Sequence, residues 1–531
     1  MKKLFYVILA SGAVCSCGGN RGQIQRKVEA YATVTIPAPD LSDISDNGKE
    51  VLNLYRFAAN EADAIYWKQY SGDKSWLESI QDPSVKDYAN INYGPWDRID
   101  GKAFVPGFSA LRPSGANFYP LDMTAGEYEA FDDPAKDSPY TLIRRGEDGS
   151  LRTVWYHDAY APEIDKICNY LTAAAYITIK ESVRKYLLAK VDALRTDDYY
   201  ESENAWLDME DSKMDLVIGP IATADDELYG SKASYGALVL LKDLPRTEQL
   251  SGFGALLPEL QKALPGPDEY KTFVPGTESN VFVCNAIHYS GFYNAGFKVI
   301  AVNLPSDPRL QAEKGTRTIL LGNVMRDKFN RTVFPVGTRL FNSPHTSHLD
   351  ADAFYWNIVF REIAHGLGVK ETVNGKGSVE DALGNEAVTI EKAKDNVLGV
   401  YLACKMIGEH RITALIQKED ALATFLASVI RSSRFGGAEA TGRANIMIYN
   451  WLLEKGAYRR TEGGRYDIDY RRMEEAIGEL GAYILKIQAT GDYDEAVRFA
   501  NSYSDAATLR ADIVNIELEK IPVDVKFEYE K

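Results

Sequence analysis

Residues 355–369 read YWNIVFREIAHGLGV, and the letters R-E-I-A-H at 361–365 decide how the chain is interpreted. A helix that binds a metal ion through two histidines carries them at positions i and i+4, one turn apart on one face, with a glutamate after the first. Glu362 and His365 fit this pattern, but Arg361 stands where the first histidine belongs. A guanidinium stays protonated and has no lone pair to donate, so Arg361 cannot ligate a metal ion.

The segments around this helix give the motif a wider context. Residues 365–402, HGLGVKETVNGKGSVEDALGNEAVTIEKAKDNVLGVYL, resemble the metal-site segment of the dipeptidyl peptidase III family of zinc peptidases, in particular its shorter bacterial branch. Further segments resemble that branch in the same order along the chain: INYGPWDRIDG, SGANFYP, DLVIGPI, LLPELQKALP, NAGFKVIAVNLP, EKGTRTILLGNVM, GRANIMIYN and IPVDVKFE. The resemblance runs through most of the chain and implies the fold of that family.

The resemblance also assigns the family's metal-site residues to positions in this chain. The first zinc histidine of the family corresponds to Arg361, the water-activating glutamate to Glu362, and the second zinc histidine to His365. The third zinc ligand is the second glutamate of a pair, and it corresponds to Lys392 after Glu391. The expected catalytic residue is therefore Glu362, and the expected metal ligand is His365.

Two further positions are expected to contact substrate. The family's asparagine-containing turn, which binds the peptide backbone, reads NLPS here and retains Asn303 while ending in Ser306. A family histidine that steadies the transition-state oxyanion corresponds to Thr441, just before Gly442 and Arg443. The resemblance therefore implies substrate-binding roles for Asn303 and Arg443.

Two of the three expected zinc ligands are permanent cations, and this suggests a metal-free centre. A buried carboxylate without a partner is costly, so Arg361 and Lys392 are predicted to pair with Glu362 and Glu391 in place of zinc. No cofactor is then expected. The alternative is a zinc site with another ligand set, in which His365 would be joined by Glu391 and by Asp395, one helical turn further on.

Three functions follow from these readings. The first is a metal-free, catalytically impaired homologue of the dipeptidyl peptidases that binds short peptides in the old cleft. The second is an active metallopeptidase that releases dipeptides from peptide N-termini with an atypical metal site. The third is an anion-binding or scaffold protein in which Arg361, Lys392 and Arg443 converge on a carboxylate or phosphate, because arginine forks match such groups.

The N-terminus predicts export to the cell envelope. Lys2 and Lys3 precede a short apolar run and the letters CSC, a pattern typical of a bacterial lipoprotein signal peptide over residues 1–16. Cys17 is the preferred lipidated residue, and Cys15 is the alternative. We therefore expect a lipid anchor in the membrane and a location in the periplasm or at the outer membrane.

The rest of the chain predicts an α+β fold of two lobes with a ligand-binding cleft between them. Residues 46–320 mix helical and strand patterns, whereas residues 321–515 are mostly helical. Residues 516–531 alternate as a strand expected to return to the first lobe, and the polar residues 17–45 are expected to form a tether. The net charge of −16 argues against a nucleic-acid partner, because phosphate binding needs a basic surface.

Overall fold

The computed structural model describes residues 17–530, apart from residues 210, 275–279, 413 and 438. The predicted signal peptide, residues 1–16, lies outside the described residues. The described part has two large hydrophobic cores, one in a lobe that contains the main β-sheet and one in a lobe built of helices. This arrangement confirms the predicted α+β fold with a mixed lobe and a mostly helical lobe.

The elements are numbered in chain order. The strands are β1 Tyr31–Ile36, β2 Thr141–Arg145, β3 Leu151–Trp155, β4 Met214–Ala222, β5 Ser234–Lys242, β6 Asn280–Gly291, β7 Ala301–Leu304, β8 Arg317–Leu321, β9 Tyr458–Arg460, β10 Tyr466–Ile468 and β11 Asp524–Tyr529. The α-helices of the first part of the chain are α1 Cys17–Glu29, α2 Asp46–Tyr70, α3 Trp76–Ser79, α4 Pro83–Asn92, α5 Ala125–Ala130, α6 Tyr156–Ala159, α7 Ala161–Ile177, α8 Glu181–Thr196, α9 Tyr200–Leu207, α10 Leu244–Leu250, α11 Phe253–Ala263 and α12 Pro308–Lys314. Those that follow are α13 Gly322–Lys328, α14 Phe334–Leu340, α15 Ser343–Thr346, α16 Ala351–His365, α17 Val379–Leu383, α18 Ala387–Gly408, α19 Lys418–Ser432, α20 Ala440–Glu454, α21 Tyr470–Thr490, α22 Tyr493–Tyr503 and α23 Arg510–Leu518.

The first lobe is organised by a five-stranded sheet in the order β4-β5-β6-β8-β7, in which only the β6–β8 pair is parallel. Strand β5 is buried along its whole length, and its sequence SYGALVLLK is nearly all apolar, as expected for a strand covered on both faces. Helix α2 packs on β5 through residues at helical spacing, such as Val51, Tyr55 and Ala62. Strand β7 ends the sheet, and its outer edge pairs with no described strand.

The two ends of the described chain meet, and the segment expected as a tether contains regular elements. Residues 17–45 contain helix α1 and strand β1, and β1 pairs in parallel with β11 from Tyr31 opposite Asp524 to Ile36 opposite Tyr529. The segment YATVTI has the alternation of a strand and buries Tyr31 and Ile36. The C-terminal strand β11 contacts the first lobe, where the main-chain N–H of Tyr289 in β6 donates to the Tyr529 hydroxyl at 2.9 Å.

Helix α16, which carries the R-E-I-A-H motif, runs through the core of the second lobe. The side chain of Asp350 caps its start by accepting two main-chain N–H bonds, and every residue from 353 to 360 is buried. The last turn differs, since the side chains of Arg361, Glu362 and His365 are polar and partly exposed. The buried apolar residues therefore fix the helix in the core, and its final turn places the side chains of Arg361, Glu362 and His365 at the edge of that core.

Helices α16 and α18 touch backbone to backbone at Gly399. A Cβ atom built on Gly399 would lie 2.7 Å from the Cα and 2.8 Å from the main-chain nitrogen of Arg361. Backbone atoms cannot turn aside as a flexible side chain can, so only glycine permits this approach. The contact places the last turn of α16 directly against the middle of α18.

We expect Gly399→Ala to push the two helices apart and to lower the free energy of unfolding by about 1–3 kcal/mol, the usual cost of overpacking. Chemical denaturation followed by circular dichroism measures this change. Gly478→Ala is the matched control, because a Cβ there meets only Tyr401 at an ordinary 3.7 Å. That variant should gain up to about 1 kcal/mol from helix propensity. Equal effects of the two substitutions would contradict the proposed backbone contact.

Candidate functional site

A cavity of about 470 Å³ lies between the lobes, beside the last turn of α16. Glu362 and Ile363 line it from α16, and Asn303 and Thr318 line it from β7 and β8. The Thr318 hydroxyl donates a hydrogen bond to Asn303 Oδ1 at 3.2 Å, which orients the amide. The structure thus brings together the expected catalytic residue Glu362 and the expected substrate-binding residue Asn303 in the predicted cleft.

Arg361 pairs with Glu362, as the charge argument predicts. The guanidinium Nε donates to Glu362 Oε1 at 2.9 Å, and Nη2 donates to the same oxygen. Burial lowers the pKa of Arg361. The charge of Glu362, this hydrogen bond and the charge of Asp395 together raise it by more, so the net pKa lies above its ordinary value. The arginine is therefore a permanent cation held on the carboxylate next to it in the sequence.

His365 contacts the start of α18 through one ring nitrogen. Its Nδ1 lies 3.0 Å from Asp395 Oδ2 and 3.5 Å from Glu391 Oε1. Between two carboxylates, Nδ1 is the protonated nitrogen that donates, and this leaves the lone pair on Nε2. The two acids thus orient the imidazole, in the way that outer carboxylates orient a histidine in metal sites.

The cation beside Glu391 is Lys394, and the predicted partner Lys392 is wrong. The fully buried Lys394 ammonium donates to Glu391 Oε1 at 2.6 Å and to the carbonyl oxygen of Leu367 at 3.0 Å, and it lies 3.5 Å from Asp395 Oδ1. Lys392 is exposed and forms no ion pair with a described residue. Positions i and i+3 share a helix face, so the spacing of Glu391 and Lys394 is compatible with this pair.

Gln488 of helix α21 completes the surroundings of Glu391. Its Nε2 donates to Glu391 Oε2 at 2.8 Å, so both carboxylate oxygens have a donor. Gln488 is fully buried, and nothing around it in the sequence indicates this contact, since α21 lies about a hundred positions further along the chain. Tertiary packing alone brings it to the site.

Arg443 and Arg361, two of the three cations expected to converge on one anion, each pair with a different carboxylate of the protein. Its Nη1 donates to both oxygens of the buried Glu386, at 2.9 and 3.2 Å. Glu386 immediately precedes α18, so this ion pair fixes the start of that helix to α20. No sequence motif marks Glu386, because its partner lies on another helix.

The residues present do not fit the zinc ion that the resemblance implies. Arg361 and Lys392 occupy two ligand positions and offer no lone pair. Within the described ranges, His365, Glu391 and Asp395 are the one group of three donor side chains that lie within 4.8 Å of one another. Lys394 already holds Glu391 and adds a positive charge where the ion would sit, so this set is occupied by protein contacts.

We expect Lys394→Met to destabilise the protein more at neutral pH than in acid. Burial raises the pKa of Asp395, but Lys394 and the His365 hydrogen bond lower it more, so its net pKa lies below the ordinary value. The ionised Asp395 carboxylate therefore stabilises the wild-type protein at pH values above the ordinary pKa of an aspartate. Without Lys394 the pKa of Asp395 should rise, and ionisation should cost stability instead.

Urea denaturation of the two proteins at several pH values tests this sign. The free energy of unfolding of the variant should fall by about 2–4 kcal/mol near pH 7, and the deficit should shrink towards about pH 5 as Asp395 is protonated. Lys392→Met is the matched control on the same helix, and as an exposed change it should alter stability by less than about 0.5 kcal/mol. A larger effect at Lys392 than at Lys394 would refute the assignment.

Comparison with known proteins places this site in a family. No family model matches the chain. The chain is similar to the solved structure of DPP III from Caldithrix abyssi, with 31% identity, a TM-score of 0.90, and coverage of 95% of this chain and 99% of that one. It is also similar to dipeptidyl-peptidase III from Corallococcus sp. strain EGB, with 28% identity, a TM-score of 0.85, and coverage of 96% and 97%.

One curated protein also matches over most of the chain. Nudix hydrolase 3 of Arabidopsis thaliana is 28% identical over 570 residues, which cover 94% of this chain and 73% of that protein. The agreement in fold and sequence with the Caldithrix abyssi structure extends over nearly the whole of both chains. The chain therefore belongs to the dipeptidyl peptidase III family.

Proposed function

We propose that the protein is a metal-free, catalytically impaired member of this family that binds short peptides in the cleft between its lobes. The observation that carries the proposal is the hydrogen-bonded ion pair between Arg361 and Glu362. In a zinc peptidase site the glutamate takes the proton of a water that the metal ion makes acidic, so it needs the metal beside it. Here the guanidinium stands in a metal-ligand position and holds the carboxylate that would do this work.

The positive charge of the site comes from the protein itself. Arg361 pairs with Glu362, and Lys394 lies on Glu391 and 3.5 Å from Asp395, so two protein cations already lie among these three carboxylates. Bringing a divalent cation close to two others in a partly buried site is unfavourable.

Peptide binding is supported by the edge strand β7. Its outer edge pairs with no described strand, and Asn303 in this strand lines the same cavity as Glu362. An extended peptide binds such an edge through main-chain hydrogen bonds, and side-chain pockets then supply specificity. A cavity of about 470 Å³ is within the range of small-ligand sites and accommodates a short peptide segment.

A second candidate function is an active dipeptidyl peptidase with an atypical metal site. The clustering of His365, Glu391 and Asp395 within 4.8 Å favours it. In this function a metal ion would replace Lys394 as the partner of Glu391. The two candidates therefore differ in the metal content of the protein, which can be measured.

We expect the purified protein to contain no stoichiometric zinc. Its turnover of a dipeptidyl arylamide, with Zn²⁺ or Co²⁺ added, should not exceed that of a Glu362→Gln variant. Elemental analysis and a fluorescence assay measure the two quantities. A labelled tetrapeptide should still bind, with an affinity that a chelator does not change. One zinc per chain, removable by chelator together with hydrolysis, would establish the second candidate instead.

Restoring the ligand positions provides the matched comparison. The Arg361→His, Lys392→Glu double variant regains the donor types of the family, and we expect it to bind zinc that elemental analysis detects. The single Arg361→His variant lacks the third ligand and should bind zinc much more weakly. Hydrolysis need not return with the metal, since Thr441 and Ser306 also differ from the family pattern.

We further propose that the protein is exported and anchored to the cell envelope by a lipid on Cys17. The support is the signal-like sequence of residues 1–16 and the cysteine that follows it. No helix among the described residues is long and apolar enough to cross a membrane. On this proposal, lipid on the cysteine supplies the membrane attachment.

We expect Cys17→Ser to remove incorporation of labelled palmitate and to shift the protein from the membrane fraction to the soluble fraction. Cys15→Ser is the matched control, two positions away, and should leave both properties unchanged. Loss of labelling in the Cys15 variant alone would move the anchor to that residue. Unchanged labelling of both single variants would contradict lipidation at a single site.

A further inference from the structure

A second cavity lies against the face of α16 that carries Phe354, Ile358 and Arg361. Its volume is about 310 Å³, and it is lined by α16, by helices α13 and α18 to α20, and by the segment 297–301 before β7. Glu362 is not among its lining residues, and the peptide cleft described above lies on the other side of the helix. The two cavities are therefore distinct spaces next to the same helical turn.

All the charged residues that line this second cavity are cations. They are Lys298, Lys328, Arg361 and Arg431, and the described lining contains no aspartate or glutamate. Except for Arg361, each is at least nine-tenths buried. Cations held together away from water repel one another and lose hydration, so such a set needs compensating negative charge.

The protein supplies only part of that charge. The fully buried Asp524 lies 3.0 Å from Lys328 Nζ and 3.2 Å from Arg431 Nη2, while Glu362 pairs with Arg361. The Lys298 ammonium has main-chain carbonyl partners, those of Asn294 and Gly296, and no carboxylate within ion-pair distance among the described residues. Two carboxylates, Asp524 and Glu362, thus pair with three of the four cations, and Lys298 has none.

Burial is the largest cause of the low pKa values of two lysines at the cavity, and neighbouring cations add to it. Burial lowers the pKa of Lys298 to about 7, and the charges of Lys328 and Arg98 lower it too, against the opposing effects of Asp524 and Asp63. Burial likewise lowers the pKa of Lys328 to about 8, with further lowering by Arg431 and Arg361. An anion in the cavity would relieve this repulsion.

Two buried polar atoms at the cavity also lack a partner. Arg431 Nε is a donor without an acceptor, and Asn357 Oδ1 is an acceptor without a donor, within the part of the chain that is described. The Asn357 amide is oriented by its Nδ2, which donates to the carbonyl oxygen of Ala421 at 2.9 Å. Buried polar groups are almost always paired, and a ligand that both accepts and donates hydrogen bonds would satisfy these two atoms.

We propose that this cavity binds a small oxyanion that also carries a hydroxyl group, such as hydrogen phosphate or a hydroxycarboxylate. Its negative oxygens pair with Lys298 and with Arg431 Nε, and its hydroxyl donates to Asn357 Oδ1. The site does not depend on peptide binding in the first cavity or on the absence of zinc. Failure of either proposal leaves the other open to its own test.

Isothermal titration calorimetry of the full protein with sodium phosphate and, separately, with sodium malate tests the site at constant ionic strength set by sodium chloride. Saturable binding of one anion per chain is expected. Phosphate binding alone or malate binding alone identifies the source of the oxyanion. No saturable binding of either probe overturns the proposal.

Lys298→Met should raise the dissociation constant about 10- to 100-fold, the loss expected for one charged hydrogen bond. Lys232→Met is the matched control, because Lys232 is also buried and bonded to main-chain carbonyls but does not line this cavity. It should bind the anion like the wild type. Unchanged binding by Lys298→Met would overturn the proposal.

A second variant covers the case in which Lys298→Met does not fold. Thr441 lines the cavity from the start of α20 and is partly exposed, so Thr441→Trp fills the space and keeps every charge. Binding of the anion should be lost in this variant while the folded signal in circular dichroism persists. Full-affinity binding by folded Thr441→Trp would place the anion elsewhere and overturn the proposal.

Discussion

The close approach of α16 and α18 at Gly399 is the constraint on which the site depends. Because no Cβ separates the helices there, the backbone of Arg361 lies against α18, and His365, one turn further on, reaches Glu391 and Asp395. A wider helix separation would break these hydrogen bonds, whose geometry tolerates only a few tenths of an ångström. One missing methyl group therefore determines whether the polar residues form a cluster or remain separate.

Because the helices pack this closely, the partly buried acids beside the contact need partners of opposite charge. Glu362 and Glu391 have only 17% and 26% of their side chains exposed, so neither is fully solvated. Removing one member of a desolvated ion pair commonly costs about 3–5 kcal/mol, whereas keeping the pair is close to neutral. The cations at 361 and 394 therefore stabilise the fold mainly by preventing a penalty, which is also what a zinc ion would do at such acids.

Much of this arrangement follows from the sequence, and the rest depends on distant contacts. The periodicity of α16 and the i, i+4 spacing predicted the shared face of Arg361 and His365, and charge balance predicted the partner of Glu362. The resemblance pointed to Lys392, which stands at the third zinc-ligand position, whereas the i, i+3 spacing places Lys394 on the same helix face as Glu391. Gln488 was not predictable, since no local pattern reports a contact between residues about a hundred positions apart.

Arg361 connects the two sides of α16. Its guanidinium has five N–H donors in a fixed fork, and the bonds from Nε and Nη2 to Glu362 leave donors free while the residue also lines the second cavity. An anion in that cavity would compete with Glu362 for the same cation. By linkage, a ligand in the first cavity that changes the Arg361–Glu362 pair would change anion binding by the same factor as the anion changes the binding of that ligand. Arg361 thus contacts both Glu362, which lines the first cavity, and the second cavity.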